Sequence, residues 1–201
     1  MKVIVLSGIP GSGKTTYVKS LLAGNHNLNV VVCSADDHFM VEGEYKFDVT
    51  KLGSAHGACL VKFTKAISES TYPQVDYLIV DNTSTTPIEC APYVALALAY
   101  NVDVEIVQFS CPPEIGFMRN THGVPLKGCY QSRDNLENFQ KDMPIFWKFG
   151  GVKLTTVNTW HTATDIANAR ILARKACEAD SATMAYVVGT PDQPGINPNW
   201  E

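Results

Sequence analysis

Residues Gly8 to Thr15 read Gly-Ile-Pro-Gly-Ser-Gly-Lys-Thr, directly after the apolar run Val3-Ile4-Val5-Leu6. A buried-type strand, a glycine-rich turn and a helix start, in that order, form a cradle for a polyphosphate. Several negative charges need many donors close together. Gly8, Gly11 and Gly13 free the backbone to take dihedrals that aim successive N–H groups inward. The helix opening near Thr15 adds the positive end of its dipole. Lys14 supplies a point charge for the β/γ-phosphates, and the Thr15 hydroxyl offers one oxygen to Mg²⁺. Pro10, Ser12 and Thr16 complete the stretch expected to touch a nucleotide. The alternative is a turn that binds nothing, and the flanking strand and helix argue against it.

Outward from this loop, the chain alternates strand and helix. Strands are predicted over Lys2–Ser7, Val30–Cys33, Tyr77–Val80, Val102–Phe109 and Val152–Val157. Helices are predicted over Lys14–Ala23, Lys51–Ser70, Pro87–Tyr100, Pro113–Asn120, Leu136–Phe149 and Ala163–Ala179. In the second helix Leu52, Ala55, Cys59, Phe63, Ala66 and Ile67 share one face, with Lys62 and Lys65 on the other. Residues 34–50 are expected as a loop around Gly43, and residues 121–134 as a second loop. The alternation implies an α/β fold: a parallel five-stranded sheet with helices on both faces. Residues 1–179 then form one domain, and residues 180–201, rich in Pro, Gly and Asp, an irregular tail.

The bulk properties narrow the function classes. The chain has 201 residues, 45% hydrophobic and 18% charged, which is an ordinary globular composition. Its formal charge is −4 and its pI about 5.7, against a broad, sequence-independent grip on a duplex. No apolar stretch approaches the ~20 residues that span a bilayer, so no membrane association is expected. The N-terminal strand leaves no room for a signal peptide. Six scattered cysteines lack metal-ligand spacing and read as reduced thiols, which places the protein in the cytoplasm.

In an open parallel sheet the ligand lies beyond the carboxyl ends of the strands. Asp36, Asp81 and Ser110 all follow strand ends, as the Gly8–Thr15 loop does. Asp36 is placed to accept the proton of an attacking hydroxyl aimed at a γ-phosphate; N-capping of a short helix is the competing role. Capping is the better reading for Asp37. Asp81 closes an apolar strand where a carboxylate orients Mg²⁺, or else caps the Asp81-Asn82-Thr83-Ser84 turn. Between Ile115 and Arg133 the chain holds no acid, but it does hold Arg119, Lys127 and Arg133. That segment, hinged at Gly123 and Gly128, reads as a lid whose arginines Arg119 and Arg133 offset charge on a transferring phosphoryl group. A solvated surface loop is the plainer alternative. His122 is a substrate contact or a structural imidazole. Phe39, Tyr45 and Phe47 form either an aromatic wall for a base or ordinary core.

With these residues in view, the chain resembles the kinase domain of the polynucleotide 5′-hydroxyl-kinase family over residues 1–148. The resemblance rests on Gly8 to Thr16, on Ser34-Ala35-Asp36-Asp37, on Asp81-Asn82-Thr83-Ser84 and on Arg119-Asn120-Thr121-His122-Gly123-Val124-Pro125. It implies a P-loop NTPase-type fold with a lid, ATP and Mg²⁺ as donor and metal, and a general base at Asp36. It also implies that lid arginines grip the donor phosphates. The expected reaction is transfer of the γ-phosphoryl group to a hydroxyl, that of a nucleic-acid 5′ end or a nucleotide-like acceptor. A modified base, a sugar or a small metabolite is the alternative acceptor, and a non-catalytic nucleotide-binding module the alternative class. Two departures remove positive charge from the acceptor side. Phe39 stands where the phage enzyme has an arginine, and the lid is one residue short of a second arginine, with His122 nearby.

Overall fold

The computed structural model describes residues 1–24, 27–69, 75–159 and 163–177. Its elements are β1 (Lys2–Gly8), α1 (Lys14–Gly24), β2 (Val30–Cys33), β3 (Met40–Val41), β4 (Glu44–Tyr45), α2 (Leu52–Ser68), β5 (Tyr77–Asp81), α3 (Pro87–Ala99), β6 (Asp103–Ser110), α4 (Pro113–Arg119), α5 (Leu126–Asp142), α6 (Ile145–Phe149), β7 (Lys153–Asn158) and α7 (Ala163–Cys177). Five strands form one sheet in the order β2-β5-β1-β6-β7, and every pairing in it is parallel. The fold is the α/β class expected from the alternation.

Strand β1 lies at the centre because both its faces are apolar. Val3 and Val5 pack with α2 and α3 through Phe63, Ala66, Tyr93 and Val94. Ile4 and Leu6 face α1 through Val18, Tyr17 and Leu21. All four strand residues are 3% exposed or less. Full burial of such side chains is worth about 1.5–3 kcal/mol each, so the sheet centre is the most strongly held part of the fold. Helix α2 buries Ala55, Cys59, Phe63, Ala66 and Ile67, the face its spacing predicts. Thr86 and Glu89 start α3 with a reciprocal capping box, and Pro87 occupies the first turn.

Three local expectations are corrected. Residues 126–134 are helical, so the lid loop shrinks to 120–125 and Gly128 sits inside α5. The reason is a buried face: Leu126, Cys129 and Tyr130 fall at i, i+3 and i+4 and pack against α4 and α7. The helix expected over 136–149 is divided, with α5 ending at Asp142 and α6 starting after Pro144. Proline disfavours a helical conformation in the residue before it. The loop after β2 contains a one-turn 3-10 helix, Asp36–Phe39, and a two-stranded hairpin of β3 and β4. The tail expected over 180–201 and the end of the last helix at Ala179 lie outside the described residues.

Candidate active site

The cleft lies at the carboxyl ends of the strands, has a volume of about 1400 Å³ and runs from the β2 edge to the β7 edge. Its floor is the loop from Pro10 to Thr16. Two glycines make that loop close-packed. Gly11 has φ +71°, and a Cβ there would stand 2.0 Å from the Gly116 carbonyl. In the other direction, a Cβ on Gly116 would stand 2.7 Å from the Pro10 carbonyl and 2.5 Å from Ile9 Cδ1. Helix α4 can seat on the loop only because both positions lack a side chain. Gly116 was not singled out from the sequence, since nothing local marks it.

Lys14 is 8% exposed and folds back over the loop. Its Nζ donates to the carbonyls of Gly8 at 2.8 Å and Ile9 at 2.9 Å. Burial pushes its ammonium down to about 8, against the opposing pull of the Asp81 and Asp36 carboxylates. A group held this way gains when a polyphosphate arrives, because the anion replaces the water the lysine has lost.

Thr15 Oγ1 donates to Asp81 Oδ2 at 2.9 Å. These two residues, 66 positions apart, are brought together because β5 pairs with β1. Burial raises the Asp81 carboxyl above its ordinary value, while the Thr15 hydroxyl and Lys14 pull it back. The Asp81 carboxylate is engaged by Thr15 rather than by its own turn. This oxygen pair fits Mg²⁺, which takes one or two protein oxygens and completes its shell with water and phosphate. Among the described residues there is no cluster of three or more His, Cys, Asp or Glu side chains able to hold a metal by itself.

Asp36 opens the 3-10 turn after β2, with Ala35 at the cap position. Its carboxylate is about half exposed and lines the cleft. Two elements converge on it. Tyr45 in β4 donates its hydroxyl to Oδ1 at 3.0 Å, and His122 in the lid loop brings Nε2 to 3.7 Å from Oδ2. The Tyr45 and His122 rings meet at 4.5 Å. The backbone beneath is equally fixed. The Ala35 N–H donates to Asn82 Oδ1 at 2.9 Å. Ser34 Oγ donates to the Asp81 carbonyl at 2.9 Å and accepts the Asp36 N–H at 3.2 Å. The ends of β2 and β5 are thereby tied together, so both carboxylates share one frame. Asp37 does not cap; it pairs with Lys62 at 2.9 Å.

Arg119, at the end of α4, lines the cleft and donates to the Thr159 carbonyl at 2.8 Å. Arg133 lies outside the lining. It pairs with Asp134 at 2.7 Å and Glu137 at 3.3 Å, and stands 5.4 Å from the Tyr130 ring. With residues 126–134 helical, Arg133 is engaged by its neighbours along that helix, and a hold on the donor phosphates stays a proposal. The aromatic residues divide. Phe39 is buried in the core, with Phe47 at 5.1 Å and more than half exposed beside the cleft. The lid loop is held by Asn120, whose Nδ2 donates to the Val124 carbonyl and whose Oδ1 accepts the His122 N–H.

Cys33, Cys59, Cys90, Cys111 and Cys129 are free and buried. Burial pushes the Cys33 and Cys129 thiols up to about 12, away from thiolate chemistry. Among the described residues no helix is long and apolar enough to cross a membrane.

Comparison with known proteins agrees with this geometry. Residues 3–122, more than half of the chain, match the family described as AAA domain. NEDD4-binding protein 2 of Homo sapiens is 30% identical over 141 residues, covering 68% of this chain. A chain of the Pnkp1/Rnl/Hen1 RNA repair complex shares the fold with a TM-score of 0.56 at 17% identity, over 71% of this chain. The chain spans 8% of the length of the human relative and 46% of the repair-complex chain. A glycine-rich loop seated on a central parallel strand, a threonine–aspartate pair beside it and the family match over residues 3–122 together mean that the chain belongs to the AAA domain family, with an α/β fold of the P-loop type.

Proposed function

We propose that the protein is an ATP-dependent kinase that passes the γ-phosphoryl group to a hydroxyl, that of a nucleic-acid 5′ end or a nucleotide-like acceptor. The observation that carries this reading is Asp36. A nucleotide-binding switch has no use for a carboxylate held by a tyrosine hydroxyl on the wall of the same cleft as Lys14. A kinase does. The name of the repair-complex structure, and the resemblance of the four sequence motifs, favour a nucleic-acid-type acceptor.

In the reaction the acceptor oxygen forms a bond to the γ-phosphorus as the bond to the β,γ-bridging oxygen breaks, leaving ADP. Asp36 takes the hydroxyl proton. Lys14 and the loop amides hold the β- and γ-phosphates, and Arg119 offsets charge on the transferring group. Thr15 and Asp81 would hold Mg²⁺, which when bound supplies charge neutralisation between the donor phosphate oxygens. Positioning and electrostatics provide most of the acceleration in such transfers. The lid loop, with His122 at the base, limits water access to the donor.

Asp36→Ala tests the assignment. The variant is expected to bind ATP nearly normally, because the hydrogen-bond and ion-pair partners of the Asp36 carboxylate are Tyr45 and His122 rather than loop residues, and to lose most of its transfer to acceptors. Turnover at the wild-type rate would remove the base from the mechanism.

A further inference from the structure

The cleft has two halves of unlike charge. The half over β1, β6 and β7 carries the cations: Lys14, Lys19 and Arg119 are the Lys and Arg residues in the lining. The half over β2 and β5, bounded by α2 and α3, carries Asp36, Glu89 and the aromatic residues Tyr45 and Phe47, with His56 at its edge and His122 of the lid loop 3.7 Å from Asp36. No Lys or Arg lines that half among the described residues. The nearest lysines in sequence are already matched: Lys46 pairs with Glu44 at 3.3 Å, Lys51 with Asp48 at 3.7 Å and Lys62 with Asp37 at 2.9 Å. Residues 25–26, 70–74, 160–162 and 178–201 contain neither Lys nor Arg, so they bring no further lysine or arginine to it.

A phosphate group on the acceptor would need such a cation, since charge-assisted bonds from Arg or Lys are the usual means of holding one. What this half offers instead is a ring surface and hydrogen-bonding edges. The Phe47 ring is 53% exposed and is held from behind by Phe39. Aromatic faces of this kind stack nucleobases irrespective of their identity. Asn135 and Gln131 also line the cleft and bring side-chain amides to it.

Resting on the kinase reading, but choosing against the nucleic-acid 5′ end as its acceptor, we infer that the acceptor half recognises an uncharged nucleoside, through its ring and its hydroxyl, and gives no grip to a phosphate attached to it. The attacking hydroxyl belongs to the sugar of a nucleoside that carries no 3′-phosphate. The donor half alone handles polyanionic charge.

The test measures kcat/KM with labelled ATP for four acceptors: adenosine, adenosine 3′-monophosphate, a 5′-hydroxyl oligonucleotide and glycerol. Adenosine is expected to exceed both phosphate-bearing acceptors, and glycerol is expected to be the poorest. Phe47→Ala, at an exposed position where the fold tolerates change, is expected to raise the KM for adenosine about tenfold, with the KM for ATP unchanged. A value for the 3′-monophosphate or the oligonucleotide equal to or above that of adenosine overturns the acceptor assignment and leaves the kinase reading intact. Labelling of glycerol alone, or an adenosine KM untouched by Phe47→Ala, overturns it as well. If ATP binds and no acceptor is labelled, the kinase reading itself falls and takes this inference with it.

Discussion

The Tyr45 hydroxyl donates to Asp36 Oδ1 across 3.0 Å, joining the β3–β4 hairpin to the start of the 3-10 turn after β2. Burial, and then this bond, push the Tyr45 phenol up to about 12, so it remains a donor over the working pH range. Tyr45→Phe removes the donor and leaves the ring against His122. The expected result is a fall in kcat of roughly 3- to 10-fold, as for a partly exposed hydrogen bond to a charged group. The ATP Kd should not move. Steady-state kinetics and ATP titration together check this; an unchanged kcat would mean that the hydroxyl does not orient the base.

The depressed Lys14 makes ATP binding pH-dependent. In the empty protein the lysine loses its proton near pH 8, below the ordinary value of 10.5. Bound polyphosphate favours the ammonium, so above about pH 8 binding must take up a proton. Affinity is then expected to weaken by up to about tenfold per pH unit as the pH rises beyond 8, and to be nearly flat between pH 6 and about 7. Calorimetry in buffers of different ionisation heat should show proton uptake close to zero at pH 7 and approaching one at pH 9. The stability of the empty protein moves the opposite way. The unfolded chain holds its proton up to about 10.5, so stability rises with pH between about 8 and 10.5 as the buried ammonium is relieved. Equal uptake at both pH values would contradict the burial argument.

Asp81 and Thr15 separate metal binding from folding. Asp81→Asn keeps the shape and removes a carboxylate that burial disfavours. Its thermal midpoint should therefore equal or exceed that of the parent, while the Mg²⁺ concentration for half-maximal transfer rises roughly 10- to 100-fold. A lower midpoint with unchanged Mg²⁺ dependence would make Asp81 a structural residue.

Gly116→Ala probes the seat of α4 on the phosphate loop. The new methyl would press on Ile9 Cδ1 and the Pro10 carbonyl. Overpacking of this kind costs about 1–3 kcal/mol. Thermal denaturation should show that loss, and ATP affinity should fall in parallel because Pro10 and Gly11 must shift. Gly53→Ala, where a Cβ meets nothing within 4 Å, is the matched control and should lose neither property. Loss of stability without loss of affinity would separate the helix seat from the loop's function.

How much of the site was visible beforehand follows the range of the interactions involved. The loop from Gly8 to Thr15 is local chemistry, so eight consecutive residues announce it. Strand order could be anticipated only in outline, from alternation. The helical face of α5 was hidden because Gly123, Gly128 and an absence of acids imitate a loop. The face becomes apolar in effect only when Cys129 and Tyr130 meet α4 and α7.

The amino-acid sequence by itself determined the nucleotide cradle, the α/β class and the identity of Asp36 and Asp81 as strand-end carboxylates, because these depend on neighbouring residues and on periodicity. Tertiary structure decided which distant groups complete the chemistry. Central placement of β1 brings Thr15 to Asp81, the tie from Asn82 to Ala35 aligns two strand ends, and the lid loop carries His122 to Asp36. It also paired Arg133 with Asp134 and Glu137. Such contacts join residues tens of positions apart, and their energy depends on packing that no short stretch of chain encodes.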